Sequence, residues 1–425
     1  MVKRLQEILT LCMLLTSACT VPVTVCGEIR PDRKDVMAEG IGSSYTPYPV
    51  TEYHDGSVPR GFRVFYVSHY ARHGSRYLLG APEEFAAVSI MHANENVLSD
   101  EGRSLLSDLN KIAAAHDGML GFMSEKGFAQ HYGIGKNMAV HLKDAFRAKN
   151  KTIRCVSSPA QRCIQSMAAC VLGLRDGGSK GHINMVTGHK YYAIISPRMD
   201  DSEWRGVAAG IRDSIMLSGS VPETIGKLFF LPDKGPGDAE LLSLSLSLFC
   251  MGEVANGLDS ELPDILGCHV PQPALEVMQR AENAFDYCLF CETLEHGNIR
   301  MEKTAKPVLQ DILDKAEKAV RDGNVAADLR FGHDSGLLPL MQLTGIGPFS
   351  QQYFPENAFD NGWRNYEMIP MAANLQLVFA RNSKGRVAVK FLYNESETTL
   401  PALTPFSGYW YYWDDVREYF VSLMN

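Results

Sequence analysis

Residues 63–77 read RVFYVSHYARHGSRY, and this stretch indicates both a strand and a binding or catalytic site. Its first six residues alternate aromatic or β-branched side chains with others, which is typical of a strand. The chain then continues through Arg72, His73, Gly74 and Arg76. Planar guanidinium groups bind phosphate oxygens in pairs, and a neutral imidazole between them lies where it can attack phosphorus. Gly74 lets the backbone bend and approach a ligand closely.

Taken alone, the pattern R-H-G-x-R is short, and short motifs carry a real rate of false matches. The same residues also suit a basic surface loop in which His73 is only a polar side chain. The choice between a phosphate site and a surface loop therefore depends on the rest of the sequence.

Residues 151–175, KTIRCVSSPAQRCIQSMAACVLGLR, place another arginine at a strand-to-helix junction. Residues 152–157 are typical of a strand, and a helix is predicted to begin near Ala160. Arg162 then falls in the first turn of that helix, where a cation opposes the helix dipole. Binding of a phosphate, assisted by the helix N-terminus, is one reason for a cation at this position. An exposed surface arginine is the alternative.

Residues 325–343, VAADLRFGHDSGLLPLMQL, place a His-Asp pair after a strand. The strand is predicted over 327–332, and an apolar helix follows it. In a parallel α/β sheet, ligands bind at the carboxyl ends of the strands, where His333 and Asp334 would lie. An alkoxide leaving group needs a proton, which Asp334 can donate and later recover from water. A lone His-Asp dipeptide without a catalytic role is the alternative.

These stretches, in this chain order, resemble the histidine phosphatase superfamily in its acid phosphatase and phytase branch. The signature of that family is a strand followed by R-H-G-x-R, and later a phosphate-binding arginine and a His-Asp pair. Residues 123–130 resemble its L-T-x-x-G-x-x-Q segment. Residues 369–375 and 391–395 resemble the closing strands of multiple inositol polyphosphate phosphatases.

The resemblance implies roles for six residues. His73 would form a phosphohistidine intermediate, and Asp334 would be the general acid. The phosphate-binding residues would be Arg72, Arg76, Arg162 and His333. No metal ion or cofactor is expected, because arginines supply the charge and histidine the nucleophile. Multiple inositol polyphosphate phosphatases carry their acid one position later, in His-Ala-Glu, whereas Ser335 stands there in this chain.

The implied fold is α/β, with a mostly parallel central sheet flanked by helices and a smaller α-helical cap domain. The predicted organisation is a signal peptide or lipoprotein signal at 1–26, an extended leader at 27–58, an α/β catalytic domain at 59–175 and 301–425, and a mainly α-helical cap at 176–300. From the residues alone, Ser99 and Ser124 are predicted helix N-caps, and residues 241–252 a buried helix. His131 is assigned no chemistry, because a histidine on a helix face usually packs or faces solvent.

The N-terminus carries a short basic region, a short apolar run and small residues, which together predict a secretory signal peptide. A buried N-terminal helix is the alternative. Residues 15–19 also resemble a bacterial lipoprotein processing site, with Cys19 as the lipidated residue, although Thr16 stands where a large aliphatic residue is usual. The protein is therefore expected to be exported, and to be periplasmic, associated with the outer membrane or extracellular.

The formal net charge of −8 over 425 residues disfavours nucleic acid as a partner but leaves room for a small anion in a locally basic pocket. The family resemblance, together with the N-terminal signal, implies an exported phosphomonoesterase that acts on a small phosphomonoester. Inositol polyphosphates such as phytate are the first expectation, and a broad-specificity acid or sugar phosphatase is the second. A non-catalytic phosphate-binding lipoprotein and a phosphate-transferring mutase are further alternatives. A monomer is expected.

Overall fold

In the computed structural model, the residues described are 41–49, 53, 56–197, 202–258, 261–293 and 301–425. They all belong to one compact unit. The predicted signal sequence, Cys19 and most of the predicted leader lie outside the described residues. Among the residues that are described, no helix is both long and apolar enough to cross a membrane.

An eight-stranded sheet runs through the described part of the chain. Its strands are β1 (Phe62–Arg72), β2 (Thr152–Ser157), β3 (His182–Thr187), β4 (Val325–Gly332), β5 (Asn374–Asn382), β6 (Val387–Tyr393), β7 (Ser396–Thr398) and β8 (Tyr411–Tyr412). The order is β3-β2-β4-β1-β5-β6-β7, with β8 paired to β6. The first four strands in this order are parallel, and the pairs from β1/β5 onward are antiparallel. The predicted α/β fold with a central sheet is confirmed, and its parallel half carries the predicted site residues.

Helices cover the sheet and extend beyond it. Those described are α1 (Ala86–Ala93), α2 (Asp100–Ala115), α3 (Glu125–His141), α4 (Lys143–Phe146), α5 (Gln161–Asp176), α6 (Tyr192–Ile195), α7 (Ser202–Ser218), α8 (Val221–Phe229), α9 (Asp238–Asn256), α10 (Ile265–His269), α11 (Gln272–Phe290), α12 (Lys306–Asp322), α13 (Asp334–Thr344), α14 (Pro355–Ala358), α15 (Asn365–Met368) and α16 (Trp413–Ser422). The serines predicted as N-caps accept hydrogen bonds from the backbone in the first turns of α2 and α3. The helix predicted at 241–252 lies within α9.

The alternation of side chains along β1 explains why helices pack on both faces of the sheet. Tyr66 and Tyr70 point to one face, where α12 and α13 pack. Val67 and Ala71 point to the other face, where α3 and α5 pack. Successive strand residues face opposite sides of a sheet, so a central strand that is covered on both sides must carry apolar residues on both of its faces.

A third apolar cluster joins residues 78–112 to residues 216–281. It therefore combines helices from the predicted catalytic range with helices from the predicted cap. Conversely, β3 falls within the predicted cap range but forms an edge strand of the sheet. The division into a catalytic domain and a cap stays a prediction.

Candidate active site

Three neighbouring parallel strands deliver the predicted site residues to one edge of the sheet. Arg72 at the end of β1 pairs with Gly332 at the end of β4. The His73 amide donates to the Gly332 carbonyl oxygen at 3.1 Å, which brings the turn after β1 against the start of α13. Strand β2 ends beside β4, and α5 begins a few residues later, with Arg162 as its second residue.

His73 is buried, and its surroundings fix both its tautomer and its charge. Its Nδ1 lies 3.0 Å from the Gly74 carbonyl oxygen, which can only accept, so Nδ1 carries the proton and Nε2 keeps a lone pair. Its ring centroid lies 5.4 Å from that of His333, at an interplanar angle of 77°. Burial, followed by Arg162, His333 and the two arginines of the motif, lowers the pKa of His73 well below its usual value. The imidazole is therefore neutral and has a nucleophilic nitrogen.

Arg72 is held by three oxygens. Its Nη1 donates to the carbonyl oxygens of Ser44 and Ile369, each at 2.5 Å, and its Nη2 lies 2.9 Å from Asp334 Oδ2. Only 3% of the Arg72 side chain is exposed, so these contacts fix the guanidinium in one place. Its Nε is buried without a hydrogen-bond partner.

Arg76 and Arg162 share this feature with Arg72, because the Nε of each is buried and unpartnered. Arg76 donates from Nη1 to the Tyr77 carbonyl oxygen at 2.8 Å. Burial, together with the neighbouring Arg76 and Arg72, lowers the pKa of Arg162, which reflects the crowding of three like charges. Buried donors without acceptors cost free energy, so three of them around one imidazole indicate a site for an anion.

His333 and Asp334 differ in charge although they are adjacent. Burial, followed by Arg162, lowers the pKa of His333 to about 4, so this imidazole is also neutral. Its Nε2 lies 3.2 Å from Ser158 Oγ, which orients the ring. Burial acts to raise the pKa of Asp334, but Arg72 and His333 outweigh it, and the net pKa lies below the usual value. Asp334 is thus ionised, with 24% of its side chain exposed.

The N-terminus of α3 supports the loop that carries the motif. A Cβ on Gly74 would lie 2.5 Å from the Gly127 carbonyl oxygen, and a Cβ on Gly127 would lie 2.2 Å from the Ser75 carbonyl oxygen. Only glycine at both positions permits this approach. Gln130 accepts from the Ser75 amide at 2.9 Å and donates to Ser75 Oγ at 2.9 Å. The glycine and glutamine of the predicted L-T-x-x-G-x-x-Q resemblance therefore hold the site loop in place.

Several supporting residues have little or no signal in the sequence. His131, to which no chemistry was assigned, is buried and donates from Nε2 to the Arg72 carbonyl oxygen at 3.0 Å. Ser44 and Tyr45 come from the predicted leader and contact Arg72 and Arg76. Only the helical register of His131, on the face that also carries Ile134, could have indicated its burial.

The structure brings all six predicted site residues together. His73, His333 and the three arginines interact electrostatically, and Asp334 contacts Arg72. Fixed cations, a neutral imidazole and a carboxylate grouped at one edge of the sheet can bind a tetrahedral anion and assist displacement at phosphorus. The catalytic role of each residue stays a prediction.

Comparison with solved structures identifies other proteins that share the fold of this chain. No protein-family model and no curated protein sequence matches this chain. The Bifidobacterium longum multiple inositol polyphosphate phosphatase, solved with inositol hexasulfate, matches with a TM-score of 0.72 and 18% identity over 90% of this chain and 98% of that chain. The phytase from D. castellii matches with a TM-score of 0.70 and 13% identity over 89% of this chain and 84% of that chain. The Klebsiella sp ASR1 phytase matches with a TM-score of 0.52 and 13% identity over 86% of this chain and 96% of that chain. At these identities the likeness shows the fold alone. This chain shares its fold with these inositol polyphosphate phosphatase and phytase structures, and that is the fold which the sequence resemblance implied.

Proposed function

We propose that this chain, which has the histidine phosphatase fold, is an exported phosphomonoesterase that transfers the phosphoryl group to His73. One observation carries the proposal. Three buried guanidinium groups with unpartnered Nε atoms surround a neutral histidine whose Nε2 holds a lone pair. A phosphate monoester would supply the acceptors these donors lack, and it would put phosphorus in front of that nitrogen.

In the first step the phosphate oxygens accept hydrogen bonds from Arg72, Arg76, Arg162 and His333. His73 Nε2 attacks phosphorus, the bond from phosphorus to the ester oxygen breaks, and the leaving oxygen takes a proton from Asp334. The incoming dianion competes with Asp334 for Arg72 Nη2, which lies 2.9 Å from Oδ2. It also places negative charge beside the carboxyl, so the pKa of Asp334 rises and protonation becomes available.

In the second step water attacks the phosphohistidine. Asp334, now a carboxylate, takes the proton from that water, the bond between phosphorus and Nε2 breaks, and inorganic phosphate leaves. The Gly74 carbonyl keeps the Nδ1 proton in place throughout, so the same tautomer returns for the next cycle. The arginines neutralise the transferring group in both steps.

For the substrate we propose inositol polyphosphates such as phytate, with a broad-specificity acid or sugar phosphatase as the second candidate. The observation that favours the first is that a protein of the same fold, from Bifidobacterium longum, was solved with inositol hexasulfate. The acid of this chain is Asp334 rather than a residue at position 335, so the leaving group would be protonated from a different point. We also propose that residues 1–26 are an export signal, either a secretory signal peptide or a lipoprotein signal, with Cys19 as the lipidated residue in the second case.

The test is phosphate release by the purified protein from a panel that includes phytate, sugar phosphates and an aryl phosphate. We expect turnover of the aryl phosphate, preference for phytate among the natural esters, and loss of turnover in His73→Ala with an unchanged circular dichroism spectrum. With a substrate labelled on its phosphoryl group, rapid quenching without acid should leave labelled phosphoryl bound to the wild-type protein and none bound to His73→Ala. Hydrolysis by folded His73→Ala at the wild-type rate would overturn the mechanism.

A further inference from the structure

A short segment that precedes the sheet, residues 41–48, packs against the arginines of the candidate site. We define it as the N-terminal strap. Its Ser44 carbonyl oxygen accepts from Arg72 Nη1 at 2.5 Å, and the Tyr45 ring lies 5.3 Å from the guanidinium carbon of Arg76, measured to the ring centroid. A segment far from the motif along the chain thus contacts two of its arginines.

The strap keeps a defined shape through its own hydrogen bonds. The Thr46 amide donates to the Ser43 carbonyl oxygen at 3.0 Å, and the Ser43 amide donates to Thr46 Oγ1 at 3.1 Å. The Tyr45 amide donates to Ser43 Oγ at 3.1 Å. These bonds form a tight turn that presents the Ser44 carbonyl and the Tyr45 ring together.

The turn is also fixed from the outside. Ser43 Oγ donates to Glu253 Oε2 of α9 at 2.9 Å, and Gln279 of α11 donates to the Gly42 carbonyl oxygen at 3.2 Å. The Met371 amide donates to the Thr46 carbonyl oxygen at 2.9 Å. Ser43 and Ser44 are buried, so these bonds hold the strap between the helical cluster and the sheet.

The Tyr45 ring offers Arg76 a kind of support that suits an anion site. A carboxylate would fix the guanidinium but would neutralise its charge and occupy its donors. An aromatic face orients the guanidinium plane through a cation–π contact and leaves the donors available. Glu84, whose Oε1 lies 4.0 Å from Arg76 Nη1, uses its other oxygen to accept from three backbone amides of the loop at 79–81. Arg76 Nε accordingly stays unpartnered.

We propose that Ser44 and Tyr45 of the N-terminal strap belong to the phosphate site, and that Tyr45 is a positioning residue for Arg76. The inference rests on the proposed function, because it concerns the same anion site. Tyr45 acts through its ring and not through its hydroxyl. Cys250 and burial raise the pKa of that hydroxyl, so the phenol stays neutral and adds no charge beside Arg76.

The experiment compares Tyr45→Leu, which removes the ring, with Tyr45→Phe, which keeps it. The matched control is Tyr48→Leu in the same strap, because Tyr48 bonds Glu395 and Asn374 rather than the site arginines. We expect Tyr45→Leu to raise KM for an aryl phosphate, and to weaken binding of inorganic phosphate, by about 3- to 30-fold, with kcat within about 3-fold. Tyr45→Phe should match wild type, and Tyr48→Leu should lower Tm without changing phosphate affinity.

A double-mutant cycle identifies the partner of Tyr45. The effect of Tyr45→Leu on phosphate affinity should shrink in an Arg76→Lys background and stay unchanged in an Arg162→Lys background. Equal weakening by Tyr45→Leu and Tyr48→Leu, or a Tyr45→Phe variant as weak as Tyr45→Leu, would overturn the assignment. Calorimetric binding of inorganic phosphate needs no turnover. If wild type binds phosphate but hydrolyses nothing, the proposed function fails while the role of Tyr45 is still decided.

Discussion

Arg72 Nη2 lies 2.9 Å from Asp334 Oδ2, so the proposed proton donor is ion-paired with one of the proposed phosphate ligands. Under the proposed function, the pair links phosphate binding to proton transfer. While the pair holds, Arg72 keeps the carboxyl ionised, and we expect a phosphate that takes over Nη2 to release Asp334 to accept a proton. Asp334 would then become competent as the acid only when a phosphate is present.

The first prediction concerns the leaving group. Asp334→Asn keeps the size of the side chain but cannot donate a carboxyl proton. We expect kcat for an alkyl phosphate to fall by roughly 100- to 10,000-fold, because alkoxides leave poorly without a proton. An aryl phosphate, whose leaving group hardly needs the proton, should lose far less. The measurement is kcat on both substrates with the same preparation, and equal losses on the two would exclude Asp334 as the general acid.

The second prediction concerns pH. In the free enzyme Arg72 and His333 hold the pKa of Asp334 below its usual value, so the protonated acid is present only at low pH. In the substrate complex the phosphate charge raises that pKa. For an alkyl phosphate, kcat/KM should therefore fall at lower pH than kcat does as pH rises, with a separation of at least about one pH unit. If kcat and kcat/KM fall over the same pH range, the link between phosphate binding and the pKa of Asp334 is contradicted.

How far the sequence predicts this site depends on how local each contact is. Arg72, His73 and Arg76 lie in one motif, and His333 and Asp334 directly follow a strand, so local pattern made them candidates. Arg162 was a candidate from its position in the first turn of a helix after a strand. The family resemblance then selected all six over a surface loop, a surface arginine and a His-Asp pair without a role. Parallel strands end on one edge, which is why three separate stretches were predicted to meet.

The remaining contacts depend on tertiary packing that no local pattern encodes. Tyr45 lies in a stretch whose composition suggested only an extended leader, yet it packs on Arg76. His131 looks like any histidine on a helix until β1 places the Arg72 carbonyl beside it. The antiparallel half of the sheet follows from the hairpin of β5 and β6 adding to β1, which is a choice of sheet edge that the sequence leaves open.

The third prediction concerns stability in acid. Burial, with His131, lowers the pKa of His69 to about 3, and burial lowers that of His131 to about 4. Unfolding lets these imidazoles bind protons near their usual pKa of about 6.5, so the unfolded state gains protons first as pH falls. The free energy of unfolding should therefore drop between about pH 6.5 and 4, by about 2–3 kcal/mol per buried histidine at pH 4.5.

The check is chemical unfolding at pH 7 and pH 4.5. His69→Phe replaces a ring whose two nitrogens lack hydrogen-bond partners. It should reduce the loss of free energy of unfolding between pH 7 and pH 4.5. His182→Gln, at an exposed position on β3, is the matched control and should leave the loss as in wild type. An unchanged loss in His69→Phe would show that His69 does not titrate on unfolding.

The fourth prediction concerns the close approach of α3 to the motif loop. In Gly127→Ala the new methyl would lie 2.2 Å from the Ser75 carbonyl oxygen and 2.8 Å from the Ser75 amide nitrogen, so the backbone on both sides must move. Ser75 lies between Gly74 and Arg76, and a shift there misplaces the arginine and the nucleophile together. We expect kcat/KM to fall on the order of 100-fold, because displacements of about 1 Å at a reacting centre cost that much.

The control is Gly133→Ala on the same helix, where a Cβ meets nothing within 4 Å. That variant should keep full activity and gain about 0.5–1 kcal/mol in stability, since alanine favours a helix interior over glycine. Comparable activity losses in both variants would mean that the helix as a whole, and not its contact with the motif loop, sets the geometry of the site.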